Sequence, residues 1–317
     1  MAAKSPNVYN GLKGRDFLSL HDFTPEEITT ILEFSRELKE KQKRGEEHRY
    51  LEGKTLAMIF QKASTRTRVS FEVAMYQLGG YALYLNAADL QLGRGETVAD
   101  TARVLSRYVD GIMIRTYSHA EVEELARWAE VPVINGLTDL LHPCQVLADL
   151  LTVLEKKGRL AGTKLAYVGD GNNVCHSLLF GCAKTGMDIS VASPEGYGPK
   201  EKIVLLARED ARRTGSRIEI LTDPAKAVEG ADVVVTDVWT SMGQEKDKEL
   251  RERVFGPYQV NKSLVARAKD DFIFLHCLPA HRGQEVTDEI IDGPHSAVWD
   301  EAENRLHTQK ALLALLL

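Results

Sequence analysis

Cysteine is scarce: four residues among 317, at positions 144, 175, 182 and 277, with no C-x-x-C pair. That spacing speaks against a disulfide framework and fits reduced thiols in a cytoplasmic compartment. Long apolar runs are missing too. The final ALLALLL is far short of the roughly 20 residues a bilayer needs and reads as the end of a packed amphipathic helix. The opening MAAKSPNVYNGLKGRDF has neither an apolar signal core nor an Arg-rich amphipathic pattern, so no targeting segment and no membrane partner are expected. Nor is positive charge in excess. Lys and Arg number 40 against 46 Asp and Glu, a net charge of −6, which argues against nucleic acid and confines any anion site to a local cluster. What is present is an ordinary globular composition, 44% hydrophobic and 27% charged, long enough for two domains with their own cores.

A helix is expected from Thr24-Pro25-Glu26-Glu27, which offers an N-cap, a proline at the first helical position and a capping-box glutamate. Ile28, Ile31, Leu32 and Leu38 then recur at helical spacing, and the charged KEKQKRGEE reads as a solvated helix end. From Lys54 onward strands and helices alternate. TLAMIF reads as a strand, Ser64 to Leu78 as a helix ended by Gly79-Gly80, and YALYL as a strand. A helix near 97–108, the strand GIMIR, a helix near 120–129 and the strand VPVIN follow. After a long helix from about Cys144 the alternation restarts through KLAYVGD, DISVAS, RIEIL, DVVVTDVW and FIFLHCL. The pattern predicts an α/β fold of two doubly wound domains, each a parallel sheet flanked by helices, dividing near residue 145. A last helix near 302–316 has a partner that the pattern leaves open.

In open parallel sheets ligands bind beyond the carboxyl ends of the strands. Those ends carry polar, donor-rich segments in both halves of this chain, which makes a cleft between the domains the natural site. After TLAMIF comes Ser64-Thr65-Arg66-Thr67-Arg68. With Ser64 as cap, the N–H groups of residues 65–67, three hydroxyls and the Arg66 fork form a phosphate cradle without a glycine loop. An ordinary capped helix with surface arginines has the same letters. Arg115 closes GIMIR. His142-Pro143-Cys144-Gln145 opens a helix, where His142 can donate to a carbonyl and Gln145 can both accept from and donate to an amide; a cap or a packed side chain is the plainer account of that histidine.

Gly169-Asp170-Gly171-Asn172-Asn173 resembles a dinucleotide fingerprint, but Val174 stands where a third glycine is wanted and DISVAS closes on Ser193 instead of an acid. Amides at that helix start suit an α-carboxylate better than nicotinamide dinucleotide. Asp237 can hold an ammonium group and Ser241-Met242-Gly243 a carboxylate, or Asp237 simply caps a helix. His276, Cys277 and His281 lack zinc spacing, and no second cluster completes four ligands. Cys277 reads as a hydrogen-bonding thiol beside a Leu278-Pro279 bend that presents a backbone carbonyl.

Taken together, S-T-R-T-R, H-P-C-Q, the D-V-W-T-S-M-G-Q-E loop and H-C-L-P, in this order and with D-T-A-R-V-L-S-R-Y, G-D-G-N-N and E-A-E-N-R between and after them, resemble the aspartate/ornithine carbamoyltransferase family over nearly the whole chain. The S-M-G loop and H-C-L-P are similar to its ornithine-specific branch. The resemblance implies transfer of a carbamoyl group from carbamoyl phosphate to the δ-amine of L-ornithine, without metal or organic cofactor. It assigns carbamoyl phosphate to residues 1–145, with helix 302–317 packing back on them, and ornithine to residues 146–301. Ser64, Thr65, Arg66 and Thr67 would hold phosphate. Arg115, His142 and Gln145 would hold the carbamoyl group, and Arg305 would complete that site. Asn173, Asp237, Ser241 and Met242 would hold ornithine, with Cys277 and Leu278 beside the reacting atoms. It also implies a homotrimer, or an assembly of trimers, with Gln91 donated by a neighbouring subunit. Arginine biosynthesis is the expected direction. Other acceptor amines (aspartate, putrescine, N-acetylornithine), a nicotinamide-dependent oxidoreductase and a catalytically silent binding subunit remain as alternatives.

Overall fold

The computed structural model describes residues 11–240 and 247–317; Ser241 and Met242 therefore lie outside the described residues. The chain forms two compact units, Met1–Ala148 with Glu303–Leu317, and Asp149–Ala302.

The first unit runs α1 (Pro25–Lys43), β1 (Thr55–Phe60), α2 (Thr65–Gln77), β2 (Tyr81–Asn86), α3 (Val98–Leu105), β3 (Gly111–Arg115), α4 (His119–Trp128) and β4 (Val133–Leu137). Its sheet has the order β2-β1-β3-β4, and all pairs are parallel. The inner strands are covered on both faces, which is why LAMIF and IMI read as unbroken apolar runs. Ile59, Ile112, Ile114 and Val133 meet Val122 and Leu125 of α4 in one core cluster. β2 lies at the sheet edge and stays half-exposed.

α5 (Pro143–Lys157) follows. The second unit then continues through β5 (Lys164–Val168), α6 (Asn173–Thr185), β6 (Asp188–Ala192), α7 (Glu201–Thr214), β7 (Ile218–Leu221), α8 (Pro224–Val228), β8 (Val233–Thr236), α9 (Lys248–Phe255), α10 (Lys262–Val265), β9 (Ile273–His276) and α11 (Asp288–Ile291), before α12 (Val298–Leu316). Its five strands are ordered β7-β6-β5-β8-β9 and also pair in parallel. Val168, Val234 and Phe274 pack with Val260, Val286 and Ile291 in its core.

The α/β class and the strand–helix alternation are as the pattern predicts. Three details differ. β4 starts at Val133, two residues later than expected, because Pro132 has no N–H to give a ladder; its carbonyl alone joins the sheet, accepting from Ile112 N. α12 begins at Val298, four residues earlier than 302. The four-residue helices α10 and α11 are too short to show a 3.6-residue period. The terminal leucines behave as expected, with Leu312, Leu313 and Leu316 buried.

The start of α1 realises the capping box. Thr24 Oγ1 accepts from Glu27 N at 3.2 Å, and Glu27 Oε2 accepts from Thr24 N at 2.8 Å. Thr24→Ala removes one of these acceptors and is expected to destabilise the protein by about 1 kcal/mol. The measurement is the melting temperature in scanning calorimetry, and an unchanged value would show that the cap does not hold α1.

Candidate active site

Each sheet reverses its strand order once. In the first unit the reversal falls between β1 and β3, and in the second between β5 and β8. At such a point successive crossovers leave toward opposite faces, and the loops after the two strands border a crevice. These are the segments that carry the candidate residues.

In the first unit Phe60, the end of β1, is registered against Arg115, the end of β3. Arg115 sits at a bulge: Ile114 pairs with Asn135 and Arg115 with Leu137, so Gly136 is the extra residue. A Cβ on Gly136 would lie 2.5 Å from Met113 Sδ and 3.2 Å from Ile114 O, so a larger residue there would force Met113 and the strand to shift, and the bulge re-aims the Arg115 side chain.

Ser64 caps α2 from an extended conformation, its hydroxyl accepting from Thr67 N at 3.1 Å. The expected set of three outward N–H groups is thus smaller by one, because Thr67 N–H is engaged by the cap. Buried Thr67 is instead a hub through its hydroxyl. Thr67 Oγ1 accepts from Arg305 Nη2 at 3.1 Å and lies 3.5 Å from Arg115 Nη1. Arg305 Nη1 donates to Gln145 Oε1 at 2.7 Å. Gln309, one turn further along α12, accepts from Arg305 Nε at 3.2 Å and donates to Ser70 Oγ at 2.6 Å.

Burial, and then the positive charges of Arg305, Arg115 and Arg66, hold His142 well below the usual imidazole range. It is therefore a neutral hydrogen-bonding group at physiological pH. Thr67, Arg115, Gln145 and Arg305 are brought together, with Arg66 and His142 within electrostatic reach. Thr65 is exposed beside them. Arg68 is turned away, its guanidinium 3.7 Å over the Tyr84 ring and paired with Glu72 at 3.1 Å. Gln91 is exposed on a short 3-10 turn after β2. Lys62, not singled out in the sequence although it adjoins S-T-R-T-R, is buried, paired with Asp139 and 4.1 Å over the Tyr117 ring.

In the second unit Asp237 is buried at the end of β8. Its Oδ2 accepts from Asn172 Nδ2 at 2.7 Å, and its Oδ1 from Val238 N at 2.8 Å and from Cys277 Sγ at 3.1 Å. The two asparagines therefore divide their work. Asn172 caps α6, its Oδ1 accepting from Val174 N and Cys175 N; Asn173 is the first residue of that helix and half-buried. Burial and the Asp237 carboxylate push the Cys277 thiol well above its ordinary pKa.

Behind this group lies a pair the sequence did not disclose. Leu278 N donates to His276 Nδ1 at 2.9 Å, which makes Nδ1 the acceptor and leaves the proton on Nε2, 3.1 Å from buried Glu285 Oε1. Glu285 thus fixes the imidazole tautomer, and the imidazole holds Leu278 in its left-handed conformation at φ 56°. Asp237, His276 and Cys277 lie within 4.8 Å of one another. With both ring nitrogens of His276 engaged, however, the trio has only a carboxylate and a thiol to give a metal.

The glycine turn tests the oxidoreductase alternative. A Cβ on Gly171 would fall 2.2 Å from Gly198 C and Pro199 N. Gly171 N also donates to Tyr197 O at 2.8 Å, and Lys200 N to His176 Nε2 at 3.0 Å. The chain's own backbone occupies the face where a dinucleotide pyrophosphate would lie. Asp170 of the same turn makes a buried ion pair with Arg251, which also donates to Trp239 O. Burial raises Asp170 to about 6 against the opposing charge of Arg251. This pair ties α9 to the turn after β5. Arg251 stands in a run of mixed charges, EKDKELRER, in which nothing marks the one that is buried.

Residues 15–155 match the model of the aspartate/ornithine carbamoyltransferase carbamoyl-P binding domain, and residues 161–316 that of the Asp/Orn binding domain. The chain is 66% identical over 306 residues to an ornithine carbamoyltransferase of Pyrococcus horikoshii, covering 96% of both chains. The solved ornithine carbamoyltransferase of Pyrococcus furiosus is 64% identical with a TM-score of 0.94, covering 96% of this chain and 97% of that one. The anabolic enzyme of Campylobacter jejuni is 43% identical with a TM-score of 0.88, covering 94% and 97%.

Removing the Asp237 charge should release the neighbouring thiol. Asp237→Asn is expected to bring the Cys277 pKa down, measured as thiolate ultraviolet absorbance against pH in comparison with Cys277→Ser. An unchanged titration would show that the carboxylate does not set the state of the thiol.

Proposed function

The chain belongs to the aspartate/ornithine carbamoyltransferase family, and from that membership we propose how its residues carry out the reaction. The protein is an ornithine carbamoyltransferase: it transfers the carbamoyl group of carbamoyl phosphate to the δ-amine of L-ornithine, giving L-citrulline and phosphate. The anabolic enzymes of P. furiosus and C. jejuni among its relatives support a role in arginine biosynthesis.

The observation that carries the site assignment is the cluster around Thr67. Three guanidinium groups, a hydroxyl and a helix N-terminus gather in a chain of net charge −6, the composition expected of a phosphate site. Ser64, Thr65, Arg66 and Thr67 hold the phosphate, with Arg305 completing it. Arg115 bridges phosphate and carbamoyl oxygen. Neutral His142 donates to the carbamoyl oxygen, and Gln145 faces the carbamoyl NH₂. Asn173, Asp237, Ser241 and the Met242 backbone hold the amino-acid end of ornithine, and Cys277 and Leu278 lie by the reacting amine.

The δ-ammonium of free ornithine has a lysine-like pKa near 10 and must lose a proton before it attacks. Asp237 and Cys277 are the groups placed to accept or relay it. The amine nitrogen then bonds to the carbamoyl carbon. Charge builds on the carbamoyl oxygen, where Arg115, His142 and Thr67 stabilise it; one such donor is worth about 2.7–4 kcal/mol. The bond from that carbon to the phosphate oxygen breaks, the departing phosphate takes the second proton of the attacking nitrogen, and it leaves toward Arg66 and the start of α2. The chemistry requires the ornithine held by the second unit to reach the carbamoyl phosphate held by the first, with water excluded.

Self-association as a homotrimer, or an assembly of trimers, is supported by the apolar side chains exposed on α2 and the edge strand β2: Val69, Tyr76, Tyr81 and Tyr84. Gln91 follows that strand and would enter a neighbour's phosphate site. Four free cysteines support a cytoplasmic setting, and no helix among the described residues is long and apolar enough to cross a membrane.

Arg66→Ala is expected to lower kcat/KM for carbamoyl phosphate by about 100-fold in a citrulline assay; full turnover would remove the phosphate assignment. The same assay run with aspartate, putrescine or N-acetylornithine should give no carbamoylated product, and turnover of one of these in preference to ornithine would overturn the acceptor.

A further inference from the structure

Beneath α12 the first unit encloses two lysines, a residue type rarely buried without an acidic partner. Lys310 is fully buried and Lys39 nearly so. Lys39 Nζ donates to Asn304 Oδ1 at 2.7 Å, with Glu303 Oε1 4.0 Å away. Lys310 Nζ donates to Gln42 Oε1, in the last turn of α1, at 2.5 Å and lies 3.2 Å from His48 Nε2. Among the described residues no carboxylate comes within ion-pair distance of Lys310.

The tautomer of His48 follows from its other side. Nδ1 is 2.8 Å from the Glu46 carbonyl oxygen, which can only accept, so Nδ1 carries the proton and Nε2 offers its lone pair to Lys310. Ammonium donor and neutral imidazole acceptor are complementary. A second proton on the ring would leave two cations 3.2 Å apart in a buried site. The helix this contact fastens also carries Arg305, whose guanidinium spans Gln145 and Thr67, and Asn304, which Lys39 holds.

We propose that Lys310 and His48 are a positioning pair that holds α12, and Arg305 with it, in register for phosphate, and that the pair does so only while the imidazole is neutral. The proposal rests on Arg305 being a phosphate ligand, as assigned above.

The surrounding charges set the sign of the effect. On the α1 side stand Lys39 and Lys41, the latter engaged with Glu37 at 2.7 Å and the Tyr50 hydroxyl at 2.7 Å. The Glu46 carboxylate is bound by Arg44. On α12, His307 faces Glu303 at 3.1 Å, with Lys39 and Lys310 nearby. Burial holds His48 below the ordinary imidazole value, with Lys310 and Lys41 adding to it against the Glu46 carbonyl. A native value below the free one means that the released ring takes up its proton more readily. The contribution of the pair is therefore complete above about pH 6.5 and is lost as pH falls below it. Burial brings Lys310 down to about 8, so the matched state spans neutral pH. His307, at about 4, charges only later.

His48→Gln keeps an acceptor for Lys310 that cannot take a proton. The test is competitive inhibition of the intact enzyme by inorganic phosphate, compared as the ratio of variant to wild type from about pH 7.5 to about pH 5.5. The ratio cancels the titration of phosphate itself. Equal affinities are expected at the upper end, and wild-type binding about tenfold weaker than the variant at the lower end, with kcat changing in parallel in the two proteins. Lys310→Met, which removes the facing cation, should likewise flatten the acid dependence; if it does not fold, His48→Gln decides alone. A ratio constant across the range overturns the positioning pair. Absence of phosphate inhibition in both proteins at every pH overturns the phosphate assignment of Arg305 and this proposal with it.

Discussion

A parallel sheet can place chemistry at its edge of loops only where its strand order turns back on itself. Everywhere else successive crossovers cover the strand ends in the same sense. Each of the two sheets here turns back once, and the residues with the most chemistry to offer stand beside those two points. One turning point lies beside Arg115 and the start of α2; the other lies beside Asp237 and the start of α6. The same topology gathers guanidinium groups in one unit and a buried carboxylate with a thiol in the other, because the loops differ while the scaffold does not.

The electrostatics follow from burial more than from charge count. The chain is acidic overall, yet three guanidinium groups sit around one threonine hydroxyl and one imidazole. Arg305 is held among these like charges by a fork of hydrogen bonds to Gln145, Thr67 and Gln309. Burial first, and their field second, keep the imidazole neutral, so that it adds no fourth charge. In the second unit the sign is inverted: burial, and then one carboxylate hydrogen-bonded by an amide and a thiol, keep that thiol protonated.

Much of this was legible in the letters. The Thr24 cap, the apolar runs of buried parallel strands and the position of each donor-rich segment after a strand all derive from local chemistry. What stayed hidden depends on contacts far apart in the chain. Arg251 is one charge among many in its run until it meets Asp170, 81 residues earlier. Glu285 gains its role only through the His276 ring. Gly136 follows the expected strand VPVIN in the letters, and its place at a bulge inside β4 becomes visible only when β4 is laid against β3. Asn172 and Asn173 look alike in sequence, but one of them is consumed in capping α6. The glycine at 171 is required by the overlying backbone at 197–199, a contact that the letters do not show.

The first unit is not continuous along the chain. Residues 303–317 belong to it although 149–302 intervene, and Arg305 reaches Thr67 across 238 positions of sequence. Among the described residues the nine strands all precede residue 277 in the chain, so both sheets are encoded before the guanidinium that docks on Thr67. Of the groups gathered at Thr67, the Arg305 guanidinium is thereby the last to be synthesised, well after every strand of the sheet beside which it docks.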